Sequence, residues 1–158
     1  MEFPFSSAVV SVHAHATEDE ERVLKAMRTL LPEAVEIRRS KLEGHHGNPI
    51  TVFETRIGRK ALLRELWGRL LTKLRAGELE NIRSILQRRM DEVCRLYLRF
   101  DKQLAYREVL VLTDSGDAIH LKLKVAAFPP KPEVAVRLVE KFIGAGQKDE
   151  EEAQIHRI

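Results

Sequence analysis

Residues 95–99 read Arg-Leu-Tyr-Leu-Arg within the stretch VCRLYLRF (93–100). Period-two alternation puts Arg95, Tyr97 and Arg99 on one face of a strand and Leu96, Leu98 and Phe100 on the other. One aromatic ring between two guanidinium groups suits single-stranded or loop RNA, because the ring stacks on any base and the arginines pair with phosphates. A second basic row, His120, Lys122 and Lys124, alternates with Ile119, Leu121, Leu123 and Val125. In AVVSVHAHA (8–16), His13 and His15 share the polar side with Ser11. If these strands are neighbours, the uncovered side of their sheet is a positive platform. A solvated outer face carries the same alternation, so the pattern fits either reading.

The charge distribution points the same way. Residues 1–55 carry a net −3 and residues 108–158 a net −2, whereas residues 56–107 carry fourteen Lys/Arg against six Asp/Glu, a net +8. Eleven of the seventeen arginines lie in that middle block, Arg88 and Arg89 among them and Arg107 at its edge. Such asymmetry is the footprint expected where a polyanion binds one side of a protein, although solvated helix exteriors are also routinely charged.

Other residues admit weaker chemistry. His45 and His46, between Gly44 and Gly47 in EGHHGNPI (43–50), could bracket a phosphate if the glycine N–H groups approach an anion; a turn needing positive φ accounts for the same glycines. His13 and His15 form an HxH pair, but zinc needs three or four converging ligands and no Cys pair exists, so no metal or cofactor is expected. Asp101 fits a cap on a short turn over residues 102–106. There is no GxSxG, Walker A, GxGxxG or HExxH sequence. The lone Cys94 cannot form an internal disulfide and reads as a buried thiol.

These groups need elements to position them. After the first strand, Thr17-Glu18-Asp19-Glu20 reads as a capping box opening a helix that runs to about Leu31 and stops at Pro32. Residues 34–42 and 50–57 read as strands. Leu62, Leu63, Leu66, Trp67, Leu70, Leu71 and Leu74 mark an amphipathic helix over 59–74, Gly77 ends it, and a second follows over 79–90. Residues 108–113 and 118–126 suggest a hairpin around Asp114-Ser115-Gly116-Asp117. A closing helix spans 133–143 and ends at Gly144-Ala145-Gly146, leaving 147–158 as a mobile acidic tail. The expected fold is α+β in two layers, with a mostly antiparallel sheet and helices on one face, in the order β-α-β-β-α-α-β-β-β-α. At 158 residues, one domain over 1–146 suffices. No apolar window is long enough to span a membrane, and the N-terminal MEFPF lacks a secretory pattern, so a cytoplasmic location is expected.

Three segments, HAHATEDEERVLKAMRTLLPE (13–33), KLEGHHGNPI (41–50) and LRFDKQLAY (98–106), together resemble an archaeal family of RNA-binding proteins predicted to associate with the exosome. The resemblance covers roughly residues 8–143. It implies a fold like that of large-subunit ribosomal protein five, and roles at Gly44, His45, Gly47, Asn48, Arg99, Asp101, Lys102, Gln103 and Tyr106. The expectation is a non-enzymatic RNA-binding protein, accessory to RNA processing or ribosome assembly. Its contacts would be Arg95, Tyr97, Arg99, Lys102, Gln103, Lys122 and Lys124, with the loop Gly44, His45, His46, Gly47 and Asn48. One rival is a nuclease-like enzyme using His45, His46 and Asp101. The other is a protein-interaction module without direct RNA binding, whose Leu-rich helices over 59–90 form a homo-oligomer face; dimerisation would follow if the monomer exposed Trp67 and its leucines as a patch.

Overall fold

In the computed structural model, residues 2–44 and 46–155 are described. β1 (Phe5–His15) is the central strand, antiparallel both to β3 (Pro49–Ile57) and to β5 (Ala118–Val125). β2 (Arg38–Glu43) lies outside β3 and β4 (Arg95–Asp101) outside β5, giving the antiparallel order β2-β3-β1-β5-β4. Alternation divides the faces. Phe5, Ala8, Val10, Val12 and Ala14 of β1 are buried, as are Phe53, Leu96, Leu98, Phe100, Leu121 and Leu123 on β3, β4 and β5. The intervening side chains of β1, β5 and β4 are half-buried or exposed, apart from Ala118 at the start of β5.

The helices cover the buried side. α1 (Glu20–Arg28), α2 (Lys60–Lys73), α3 (Glu78–Arg89) and α5 (Pro132–Ile155) press Met27, Leu66, Ile82, Leu86 and Val139 into the core. Phe5, Trp67 and Phe142 pack with ring centroids 5.1–6.2 Å apart. The short α4 (Lys102–Tyr106) is capped by Asp101, whose carboxylate accepts from the Leu104 N–H at 2.9 Å, as the sequence suggests. α4 is tied to α1 by the Thr29 hydroxyl, which donates to the Ala105 carbonyl at 2.7 Å. No helix among the described residues is long and apolar enough to cross a membrane.

The expected α+β class and one-sided layering hold, with local differences. Asp19 rather than Thr17 caps α1, accepting from the Glu21 N–H at 3.0 Å; Thr17 lies in the turn in which the Glu18 N–H donates to the His15 carbonyl. Residues 34–37 precede β2 without joining the sheet. Gly77 sits at φ +89° as the residue that starts α3, rather than closing α2.

Residues 108–113 do not form a hairpin with β5. β4 follows directly after α3, and β5 takes the place between β4 and β1. Segment 108–113 instead covers the free edge of β4: the Asp101 N–H donates to the Val111 carbonyl and the Thr113 N–H to the Arg99 carbonyl. The Leu112 N–H is taken by the carboxylate of Glu78, which is 5% exposed.

Most of the apolar stripe of α2 is core, with Leu62 half-buried and Leu71 exposed. Trp67 is 5% exposed, and Leu63, Leu66 and Leu70 are buried, which removes the exposed patch on which the dimer reading depended. α5 passes through Gly144 and Gly146 to Ile155, so the acidic segment expected as a tail continues the helix backbone as far as that residue. Residues 156–158 lie outside the described part.

Candidate nucleic-acid interface

Register aligns the polar side chains of β1, β5 and β4 into rows. Ser11 faces His120 and His120 faces Arg99; Val9 faces Lys122 and Lys122 faces Tyr97; Ser7 faces Lys124 and Lys124 faces Arg95. Residues aligned across neighbouring strands lie about 5 Å apart, so the three rows form one continuous surface. Arg95, Tyr97, Arg99, Lys122 and Lys124 are therefore brought together, with His13 and His120, on the uncovered face. The last residues of α3 and the loop to β4 rise at its edge, and the resulting open trough is about 660 Å³. Two acids line the trough: Glu54 of β3, which pairs with Arg56 at 3.1 Å, and Asp91 ahead of β4.

Asp91 organises the aromatic. Its Oδ1 accepts from the N–H groups of Val93 and Arg95 at 3.0 and 2.8 Å, forming an Asx-type turn at the entry to β4. Its Oδ2 accepts from the Tyr97 hydroxyl at 3.1 Å and lies 3.5 Å from Arg95 Nε. Burial pushes the Asp91 carboxyl up, but these hydrogen bonds and the Arg95 charge outweigh it and hold the group below its ordinary value. Burial and the same carboxylate push the Tyr97 phenol up, so it stays a neutral donor. Tyr97 is 38% exposed, leaving part of its ring open to solvent. Asp91 was missed in the sequence; the signal was an Asp immediately after a helix and two residues before a strand.

The cations are held to different degrees. Arg99 donates to the Asp114 carbonyl at 3.2 Å, and Lys124 donates to the Val93 carbonyl. Lys122 makes no ion pair among the described residues. The His13 imidazole is depressed below its ordinary 6.5, first by burial and then by His120, His15 and Lys102, with Asp117 opposing. At neutral pH it is therefore an uncharged ring in the trough.

Other sequence candidates fall elsewhere. Lys102 is 5% exposed, and its ammonium donates to the His13 carbonyl (2.8 Å), Glu18 (2.9 Å) and Asp117 (2.8 Å). With its hydrogen bonds spent internally, Lys102 ties α4 to β1 and the 114–117 loop and has no capacity left for a phosphate. His15, Glu18 and Asp117 bring possible ligand atoms within 4.8 Å of one another, and the Lys102 ammonium lies against both carboxylates, supplying the positive charge there. Gln103 is exposed, on a separate groove with Asp19, Arg22 and Tyr106. The Tyr106 ring is covered by Arg22 and Lys25, whose cationic atoms lie 4.5 and 4.4 Å from its centroid.

Gly44, His46, Gly47 and Asn48 cap the β2–β3 hairpin, and His45 lies outside the described residues. The Gly44 N–H donates to the Asn48 carbonyl at 2.7 Å and the Gly47 N–H to the Gly44 carbonyl at 3.0 Å, so the turn itself consumes the donors expected to meet an anion. Gly47 is at φ +73°, the conformation that explains the glycine. Three strand spacings, about 15 Å, separate this hairpin from β4, where the carboxylate of Asp101 already caps α4.

A family model described as RNA binding matches residues 7–125. RNA-binding protein PAB1135 of Pyrococcus abyssi is 36% identical over 134 residues, spanning 82% of this chain and 87% of its own length. The crystal structure of protein AF2318 from Archaeglobus fulgidus, described as DUF54, superposes with a TM-score of 0.79 at 36% identity, covering 87% of this chain and 98% of that one. Mth689, a DUF54 protein from Methanothermobacter thermautotrophicus, gives 0.75 at 40% identity, covering 89% and 99%. The matched span runs from β1 to the last residue of β5 and so contains every strand of the open face; the chain belongs to this archaeal RNA-binding family.

Proposed function

We propose that the protein binds RNA, without catalysing a reaction on it, through the open face of its sheet. The observation that carries this reading is Tyr97, partly exposed between Arg95 and Arg99 with Lys122 alongside, on a face no helix covers. The family's description and the name of the Pyrococcus abyssi relative support it. Tyr97 stacks on a base while the flanking cations neutralise phosphates, a grip that is largely independent of sequence. A phosphodiester running along β4 meets the Arg99, Tyr97 and Arg95 rows in turn. The setting we infer is accessory to RNA processing by the exosome, or to ribosome assembly, in the cytoplasm, as the family resemblance implies.

Titration of the purified protein against structured RNA, single-stranded RNA and duplex DNA over a salt series tests this. RNA is expected to bind preferentially and with strong salt dependence. The double variant Arg95→Ala/Arg99→Ala should weaken binding and flatten the log–log salt slope by about 0.7 per lost single-strand contact. An unchanged slope removes those two residues from the interface. Absence of RNA binding by the unaltered protein even at low salt rejects the reading altogether.

A further inference from the structure

We infer that the RNA-contacting surface turns round the β4 edge into a cleft between α3 and residues 112–114, where Arg88, Arg89 and Arg99 take a backbone phosphate in the position now held by the Asp114 carboxylate. The inference rests on the RNA-binding reading above and extends it to a surface on the helical side of β4.

The cleft is about 480 Å³ and is lined by Asn81, Ser84, Arg88, Arg89, Arg99 and Asp114, among others. Arg88, Arg89 and Arg99 also line the trough on the open face, so the two concavities are continuous around the strand. Arg89 Nη2 lies 2.8 Å from Asp114 Oδ1. The two partners are unequally held: the Arg89 side chain is 20% exposed and that of Asp114 is 86% exposed. The guanidinium is thus largely enclosed by the protein, while its anion stands almost free in water. An exposed carboxylate of this kind contributes little to stability. A phosphodiester offers the same pair of anionic oxygens in the geometry an arginine fork accepts.

Three guanidinium groups against one carboxylate leave the cleft positive. The loop carrying Asp114 is anchored independently of that carboxylate. Asp117 is bound by Lys102, and the Gly116 carbonyl lies 3.0 Å from the His120 ring. Asp114 can therefore be displaced without unpicking the loop.

The test is fluorescence anisotropy with a single-stranded oligouridylate over a salt series, with thermal melts to confirm folding. Asp114→Asn should bind about two- to fivefold tighter at low salt, the worth of one exposed ion pair released. Arg88→Ala/Arg89→Ala should bind more weakly, with a slope flattened by about 0.7 per lost contact. If that variant melts early, Arg88→Ala/Arg89→Lys, which keeps one charge but not the bidentate fork, replaces it and should also bind more weakly. An Asp114→Asn protein that binds no tighter, or a folded arginine variant that matches the unaltered protein in affinity and slope, overturns the inference. If Tyr97→Ala, which lines the trough and not the cleft, weakens binding in the same experiment, the open-face reading survives that failure. If the unaltered protein binds no RNA at any salt, both fall together.

Discussion

Two side chains that the sequence marks equally as RNA contacts have different work because of what surrounds them. Tyr97 gives its hydroxyl to Asp91 and keeps part of its ring open, so base stacking and hydrogen bonding belong to separate parts of one side chain. Tyr97→Phe is expected to retain RNA affinity, whereas Tyr97→Ala should lose about 1–3 kcal/mol of it, the usual worth of one stacked base; anisotropy titration separates the two. Lys102, by contrast, serves the fold. Replacing it with Met strands the Glu18 and Asp117 carboxylates and the His13 carbonyl, and urea unfolding should show a loss of about 1–3 kcal/mol. RNA affinity of the folded Lys102→Met protein should be unchanged, because Lys102 does not line the trough and its ammonium is spent on internal acceptors.

β4 keeps its functional and structural residues on opposite sides of one strand. Leu98→Ala, on the buried side, should cost about 2–5 kcal/mol of stability through a core cavity. Lys122→Ala, facing Tyr97 from β5, should move stability by less than about 0.5 kcal/mol and still weaken RNA binding; chemical denaturation and titration check the pair. β1 adds a pH dependence through His13. Burial, and then His120, His15 and Lys102, oppose its protonation in the folded chain, with Asp117 favouring it. The unfolded chain therefore binds this proton first as pH falls below 6.5, and folding stability declines as the pH drops from there towards the depressed folded value. His13→Asn should flatten that part of the stability profile. In the unaltered protein, RNA affinity should rise as the pH falls on through the depressed folded value, where a new positive charge enters the trough.

At the scale of the whole molecule, the positively charged middle of the chain is split by the fold. α2 and α3 turn their apolar stripes into the core, and β4 takes its arginines through to the far side of the sheet. Alternation, helical periodicity and capping chemistry are local, and they were enough to identify the strands β1, β3, β4 and β5, the helices and the Arg95–Tyr97–Arg99 face from sequence. Which strands neighbour one another is not local. Placing β5 between β1 and β4 aligned the Lys122 row with Tyr97, and it left 108–113 to cover an edge instead of forming a hairpin. The same long-range packing buried Lys102 among acceptors distant in sequence, used the Gly44 and Gly47 N–H groups inside their own turn, and set Arg89 against Asp114. Local spacing by itself determined which face of each strand is polar. Only the tertiary structure decided which of those polar groups are already satisfied, because satisfaction depends on partners that the order of residues does not bring together.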